Sequence, residues 1–127
     1  MDLNCGARVE GFVENPLAFV AAASVVVGKA GPNTIAESAA CGCPMVLTSK
    51  LPGQEARNPK LVEAAGFGVW APSAKACAAA VGRMLDAPAG EQRAARSAAY
   101  AFGDPLASTA IAKHIAQTVV GCTAPPS

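Results

Sequence analysis

Residues 25–47, VVVGKAGPNTIAESAACGCPMVL, pass from a β-branched apolar run through a glycine- and proline-bearing break into a small-residue segment of helical spacing, then into a second apolar run. The pattern predicts a strand over Val25–Val27, a helix that starts at Pro32 or Thr34 and ends near Cys41 with Gly42 as its stop, and a strand over 44–49. Strand, helix, strand at this separation is a βαβ unit, and so a parallel pair with a right-handed crossover. At the break, Gly31 lets a ligand approach the backbone and Pro32 presets the first helical turn. The N–H groups of Asn33 and Thr34, at the positive end of the helix, form a seat for an anion such as phosphate. Neither the P-loop spacing nor the G-x-G-x-x-G dinucleotide fingerprint is present, and Lys29 precedes the glycine instead of following it.

Outward from this unit the alternation continues. Arg8–Val13 (RVEGFV) has β character, and Asn15-Pro16 opens a helix with Asn15 as cap and Pro16 in the first helical position. Downstream, PKLVEAAG reads as a helix stopped by Gly66 and GVW as a short strand. A helix follows the Ser73 cap, another covers Glu91–Ala101, and a last one runs from Asp104-Pro105 to about Val120. Four strands and six helices in this order give an α/β fold, a Rossmann-like parallel sheet flanked by helices. Ligands of such sheets sit beyond the carboxyl ends of the strands, where the loops after Val27 and after Leu47 lie side by side.

Glu37 has two readings. In a capping box, Thr34 caps the helix and Glu37 reaches back to it. With Pro32 as the first helical residue, Glu37 stands one turn in, on the side of the anion seat, where its carboxylate can take paired hydrogen bonds from a ribose diol. The second loop, LPGQEARN, carries Gln54, Glu55 and Asn58, an amide, a carboxylate and another amide able to satisfy the hydroxyls of a sugar. A polar loop entering a helix with Glu55 near its positive end is the plainer alternative.

Composition narrows the function classes. The chain has 127 residues, 52% of them hydrophobic and only 5% aromatic, which suits one domain with a core of Ala, Val, Leu and Ile. A formal net charge of +1 provides no field for nonspecific nucleic-acid binding. The longest apolar stretch, Leu17–Val27, is too short to span a bilayer, and it follows Glu10 and Glu14 instead of the basic residues that open a signal peptide. Five cysteines in mostly helical context read as free thiols of a reducing compartment, and Cys41-Gly42-Cys43 lacks the second ligand pair of a zinc site. His114 and Trp70 read as structural.

The run from Gly11 to Trp70, with KAGPNTIAE and PGQEARN at their observed separation, resembles the nucleotide-sugar half of family-28 glycosyltransferases, in particular their glycerolipid branch. The closing YAFGDPLASTAIAKHIAQ is similar to the last helix of that branch. The likeness implies a partial C-terminal domain of a GT-B enzyme over residues 8–121, with 1–7 outside the match and 122–127 a disordered tail. It implies that Gly31, Pro32, Asn33 and Thr34 lie at the donor diphosphate and that Glu37 binds the ribose. Gln54 and Glu55 would meet the hexose with Asn58 nearby, and the backbone at Phe12 and Val13 would face the uracil. The implied reaction moves galactose from UDP-galactose, or the sugar of another UDP-hexose, to 1,2-diacylglycerol, with the UDP-sugar as substrate and with no cofactor and no metal. A galactolipid synthase would sit peripherally at the chloroplast envelope membrane, and another member in the cytoplasm or peripherally at a membrane.

The acceptor domain, the general base and the glycine-rich loop of that family have no counterpart in these residues, so the expectation is a donor-binding fragment, inactive alone, whose lipid acceptor binds the absent N-terminal domain. Other members act on other lipid acceptors. A noncatalytic donor-binding subunit that pairs with a separate acceptor chain is the alternative from a different class.

Overall fold

The protein is described by a computed structural model covering residues 6–122. The expectations for residues 1–5 and for the tail at 123–127 fall outside the described residues. Six helices and three strands follow in the order α1 (Pro16–Ala22), β1 (Val26–Lys29), α2 (Pro32–Ala40), β2 (Met45–Ser49), α3 (Asn58–Ala65), β3 (Gly68–Trp70), α4 (Ala74–Asp86), α5 (Ala89–Phe102) and α6 (Ala107–Cys122). The strands form one parallel sheet in the order β1-β2-β3, an α/β arrangement with helices on both faces.

The element ends follow local chemistry. Asn15 caps α1 by accepting from the Ala18 N–H, Ser73 caps α4 by accepting from the Ala76 N–H, and Gly66 closes α3 in the left-handed conformation. Gly42, just past α2, has φ of 62°, and a Cβ there would overlap the Tyr100 ring of α5. The same α2–α5 seam needs Gly103, where a Cβ would come within 2.6 Å of the Ala39 carbonyl carbon.

One face of the sheet carries the main core: Ile35 and Ala39 of α2, Met45 and Leu47 of β2, Val62 of α3, Phe67, and Ala99 of α5 are all buried. Phe67 meets Phe102 with ring centroids 5.1 Å apart, and Trp70 packs against the edge of this core, as the sequence suggested. The other face is covered by α4, with Val46, Ala71 and Ala80 at its centre.

Arg8–Val13 is not a strand, and the described residues hold three strands where four were expected. A strand needs a neighbour for its outward N–H and C=O groups and a face to bury. Here Val9 is exposed and Phe12 is 97% exposed, so the segment has neither. His114 lies exposed on α6. No helix among the described residues is long and apolar enough to cross a membrane.

Candidate functional site

The site forms at the carboxyl ends of β1 and β2. The first loop is Ala30-Gly31, between β1 and α2; the second is 50–57, between β2 and α3. Helix α2 begins at Pro32 with Gly31 as its cap (φ −74°, ψ 142°) and no side-chain capping bond. The capping-box reading of Thr34 and Glu37 is therefore excluded: Thr34 lies inside the first turn, and Glu37 stands beyond it. Asn33 and Glu37, four residues apart, are exposed on one side of α2, while Ile35, Ser38 and Ala39 turn to the core. The first-turn N–H groups of α2 have no side chain bonded to them, as an anion seat requires.

Three polar contacts stitch the two loops together. The Ala30 N–H donates to the Ser49 carbonyl at 2.7 Å. The Asn58 side-chain amide donates to the Ala30 carbonyl at 2.8 Å, fixing the start of α3 to the first loop. Lys29 Nζ donates to Glu55 Oε1 at 2.8 Å. The second carboxylate oxygen of Glu55, Oε2, accepts from the Leu51 N–H at 2.7 Å and so closes the turn at 51–55.

Glu55 is thus buried, its side chain only 6% exposed, while that of Lys29 is 48% exposed. The Lys29 ammonium, with help from the Leu51 N–H, holds the Glu55 carboxyl below the usual carboxylate range against the opposing effect of burial. Gln54 is exposed at the turn. Lys50 folds over the loop, donating to the Ala56 carbonyl at 3.3 Å with its ammonium 5.2 Å from the centre of the Trp70 ring.

Gly31, Pro32, Asn33, Thr34, Glu55 and Asn58 therefore share one loop cluster, with Glu37 and Gln54 on its solvent side. Phe12 and Val13 precede α1, Phe12 is 97% exposed, and among the described residues no hydrogen bond joins either of them to the cluster. Lys29 is the member that the sequence reading passed over. Its signal was a lysine ending an otherwise apolar strand two residues before the capping glycine. A one-residue slip of the β1–β2 register falls between Gly28 and Lys29, which no sequence pattern announces.

Beside the cluster, Pro32, Ile35, Leu61, Val62 and Phe102 line an apolar groove of about 190 Å³. A larger cavity of about 420 Å³ lies between α4 and α5, against Ser24 and Pro44 at the amino ends of β1 and β2, away from the candidate loops. There Gln92 ties the α4–α5 turn by donating to the Leu85 and Ala87 carbonyls, and Arg96 donates to the Ala23 carbonyl at 3.4 Å. Cys41, Cys43 and Cys77 are free thiols, and burial pushes Cys43 up, with Arg96 opposing. No set of three potential metal ligands gathers among the described residues.

The sequence profile of the glycosyltransferase family 28 C-terminal domain matches residues 5–76, which contain both loops. Monogalactosyldiacylglycerol synthase 2, chloroplastic, of Arabidopsis thaliana is 32% identical over 115 residues, 91% of this chain and 25% of the relative. The chloroplastic monogalactosyldiacylglycerol synthase 3 of the same plant is 40% identical over 68 residues, 54% of this chain and 15% of the relative. The chloroplastic monogalactosyldiacylglycerol synthase of Spinacia oleracea is 34% identical over 91 residues, 72% of this chain and 17% of the relative. The chain spans no more than 25% of the length of these relatives. With its parallel α/β sheet and both loops inside the matched region, the chain belongs to the glycosyltransferase family 28 C-terminal domain family.

Proposed function

We propose that the loop cluster is the donor site of a galactosyltransferase that moves galactose from UDP-galactose to 1,2-diacylglycerol, and that this chain supplies the donor half. One observation carries the reading: α2 begins at Pro32 behind Gly31, with unclaimed first-turn N–H groups and the Glu37 carboxylate exposed one turn further on. A diphosphate at Gly31, Pro32, Asn33 and Thr34 would rest on those N–H groups, and the ribose would reach Glu37. Gln54 and Glu55 on the neighbouring loop, with Asn58 at the start of α3, would meet the hexose that follows the diphosphate. Uracil against the backbone at Phe12 and Val13 completes the proposed donor contacts. The names of the relatives support galactose as the sugar, a diacylglycerol acceptor and a chloroplast location. The acceptor contacts and the general base belong, in this reading, to a further domain, so residues 1–127 alone transfer no galactose.

The test is titration of this chain with UDP, followed by amide NMR shifts, for the wild type and Glu37→Ala. A hydrogen bond to a charged group contributes about 1.5–3 kcal/mol, so loss of the ribose contact weakens UDP about ten- to a hundred-fold. Unchanged UDP affinity in Glu37→Ala removes the ribose assignment. A wild type whose Gly31–Thr34 amides do not respond to millimolar UDP removes the donor-site reading altogether.

A further inference from the structure

Lys29 and Glu55 are unequal partners. The Glu55 side chain is buried and that of Lys29 is half exposed, its flexible stem lying against the Gly31 cap of α2. A Cβ on Gly31 would lie 3.3 Å from Lys29 Cε and 3.7 Å from both Lys29 Nζ and Glu55 Oε1, so the ion pair sits against the residue that opens the helix. An ammonium has three N–H donors, and among the described residues Lys29 Nζ donates to Glu55 Oε1 alone. A diphosphate arriving at the start of α2 would carry more negative charge than one carboxylate and would come within reach of that ammonium. An ion pair with one partner half open to water is weakly held, so a stronger anion can compete for it.

We propose that Lys29 couples the two loops: the diphosphate of the nucleotide sugar competes with Glu55 for the Lys29 ammonium, and the released Glu55 carboxylate accepts hydroxyls of the hexose. This rests on the donor-site reading above and adds an order of events to it. Once Lys29 turns to the diphosphate, Glu55 keeps only the Leu51 N–H as donor. A buried carboxylate short of donors is unfavourable, and hexose hydroxyls remove that deficit. UDP alone leaves it in place. Binding of the sugar and binding of the diphosphate are then positively linked through one side chain.

The two partners of an ordinary structural ion pair respond alike to removal, whereas competitors respond with opposite signs. The experiment titrates the 127-residue chain with UDP and with UDP-galactose by NMR, for the wild type, Lys29→Met, Lys29→Arg and Glu55→Gln, with thermal melts on each. Lys29→Met is expected to weaken UDP about tenfold and Lys29→Arg to stay within about threefold of the wild type. Glu55→Gln, which frees the ammonium, is expected to tighten UDP about threefold or more while abolishing the advantage of UDP-galactose over UDP.

Equal weakening in Lys29→Met and Glu55→Gln, or no change in either, overturns the coupling and leaves the donor site standing. A wild type that binds neither nucleotide overturns both. Should Lys29→Met fail to fold, the wild type still decides: the coupling between Lys29 Nζ and the Glu55 carboxyl carbon across their hydrogen bond disappears when UDP saturates the protein, and its persistence sinks the proposal.

Discussion

The two faces of the sheet differ in how they are closed. On one, α2, α3 and α5 bury Met45 and Leu47 under Ile35, Ala39, Val62, Phe67 and Ala99. On the other, α4 covers β2 and β3, and the cover thins over β1, where Val27 is 49% exposed. The closed face also holds the site. The helix starts that line it, Pro32 of α2 and Asn58 of α3, belong to helices anchored in that core, so the loops inherit their positions from packing that is already complete.

The largest expected effect lies at the centre of the closed face. Phe67 is fully buried with its ring tilted against that of Phe102, so Phe67→Ala is expected to cost about 3–5 kcal/mol, a large fraction of the stability of a domain of this size. Loss of the near-ultraviolet dichroism with retained helix signal would report the collapse of this core. A cooperative melt within a few degrees of the wild type would mean that the two faces share the load.

Next comes the α2–α5 seam. Gly42→Ala places a side chain at a positive φ and against the Tyr100 ring, and strain of this kind costs about 1–3 kcal/mol. Gly42→Ala together with Tyr100→Ala relieves the overlap but not the backbone strain, so the double variant should recover only part of the loss in melts.

Much of the closed face was legible in the sequence. The alternation of β-branched runs with alanine-rich helical spacing located β1, α2 and β2, and Gly42 and Gly66 marked helix stops because few residues other than glycine take a left-handed turn at low cost. Two things were not legible. Arg8–Val13 has the composition of a strand, but strand formation depends on a partner, which a segment's own residues do not specify. Lys29 pairs with Glu55, 26 residues away, and sits at a register slip, neither of which follows from local periodicity. The choice between a capping box and a helix starting at Pro32 was open for a similar reason: both satisfy the local pattern.

The Glu55 carboxyl gives the comparison a pH axis. Its value in the folded protein lies below that in the unfolded chain, because Lys29 and the Leu51 N–H favour the charged form. The unfolded chain therefore takes up this proton first as pH falls. The stabilisation is fully present above the unfolded value of about 4.3 and is lost as pH drops through the folded one. Melting temperatures from pH 7 to pH 2.5 should fall on the acid side, and Glu55→Gln should flatten that limb. An identical acid limb in the variant would mean that other carboxylates set it.

The smallest effect marks where the open face begins. Val27 and Val46 are direct partners across β1 and β2 and share the face under α4, yet Val46 is fully buried and Val27 is half exposed. Threonine keeps the β-branched shape and adds a hydroxyl, so the two substitutions differ mainly in what surrounds the new polar group. Val46→Thr is expected to cost about 1–3 kcal/mol through an unpaired buried hydroxyl. Val27→Thr should change stability by no more than about 0.5 kcal/mol, since its hydroxyl reaches water. Paired chemical denaturation curves measure both, and the difference between them maps the edge of the α4 cover. Equal costs would show that the cover extends over β1 and that the two faces are closed alike.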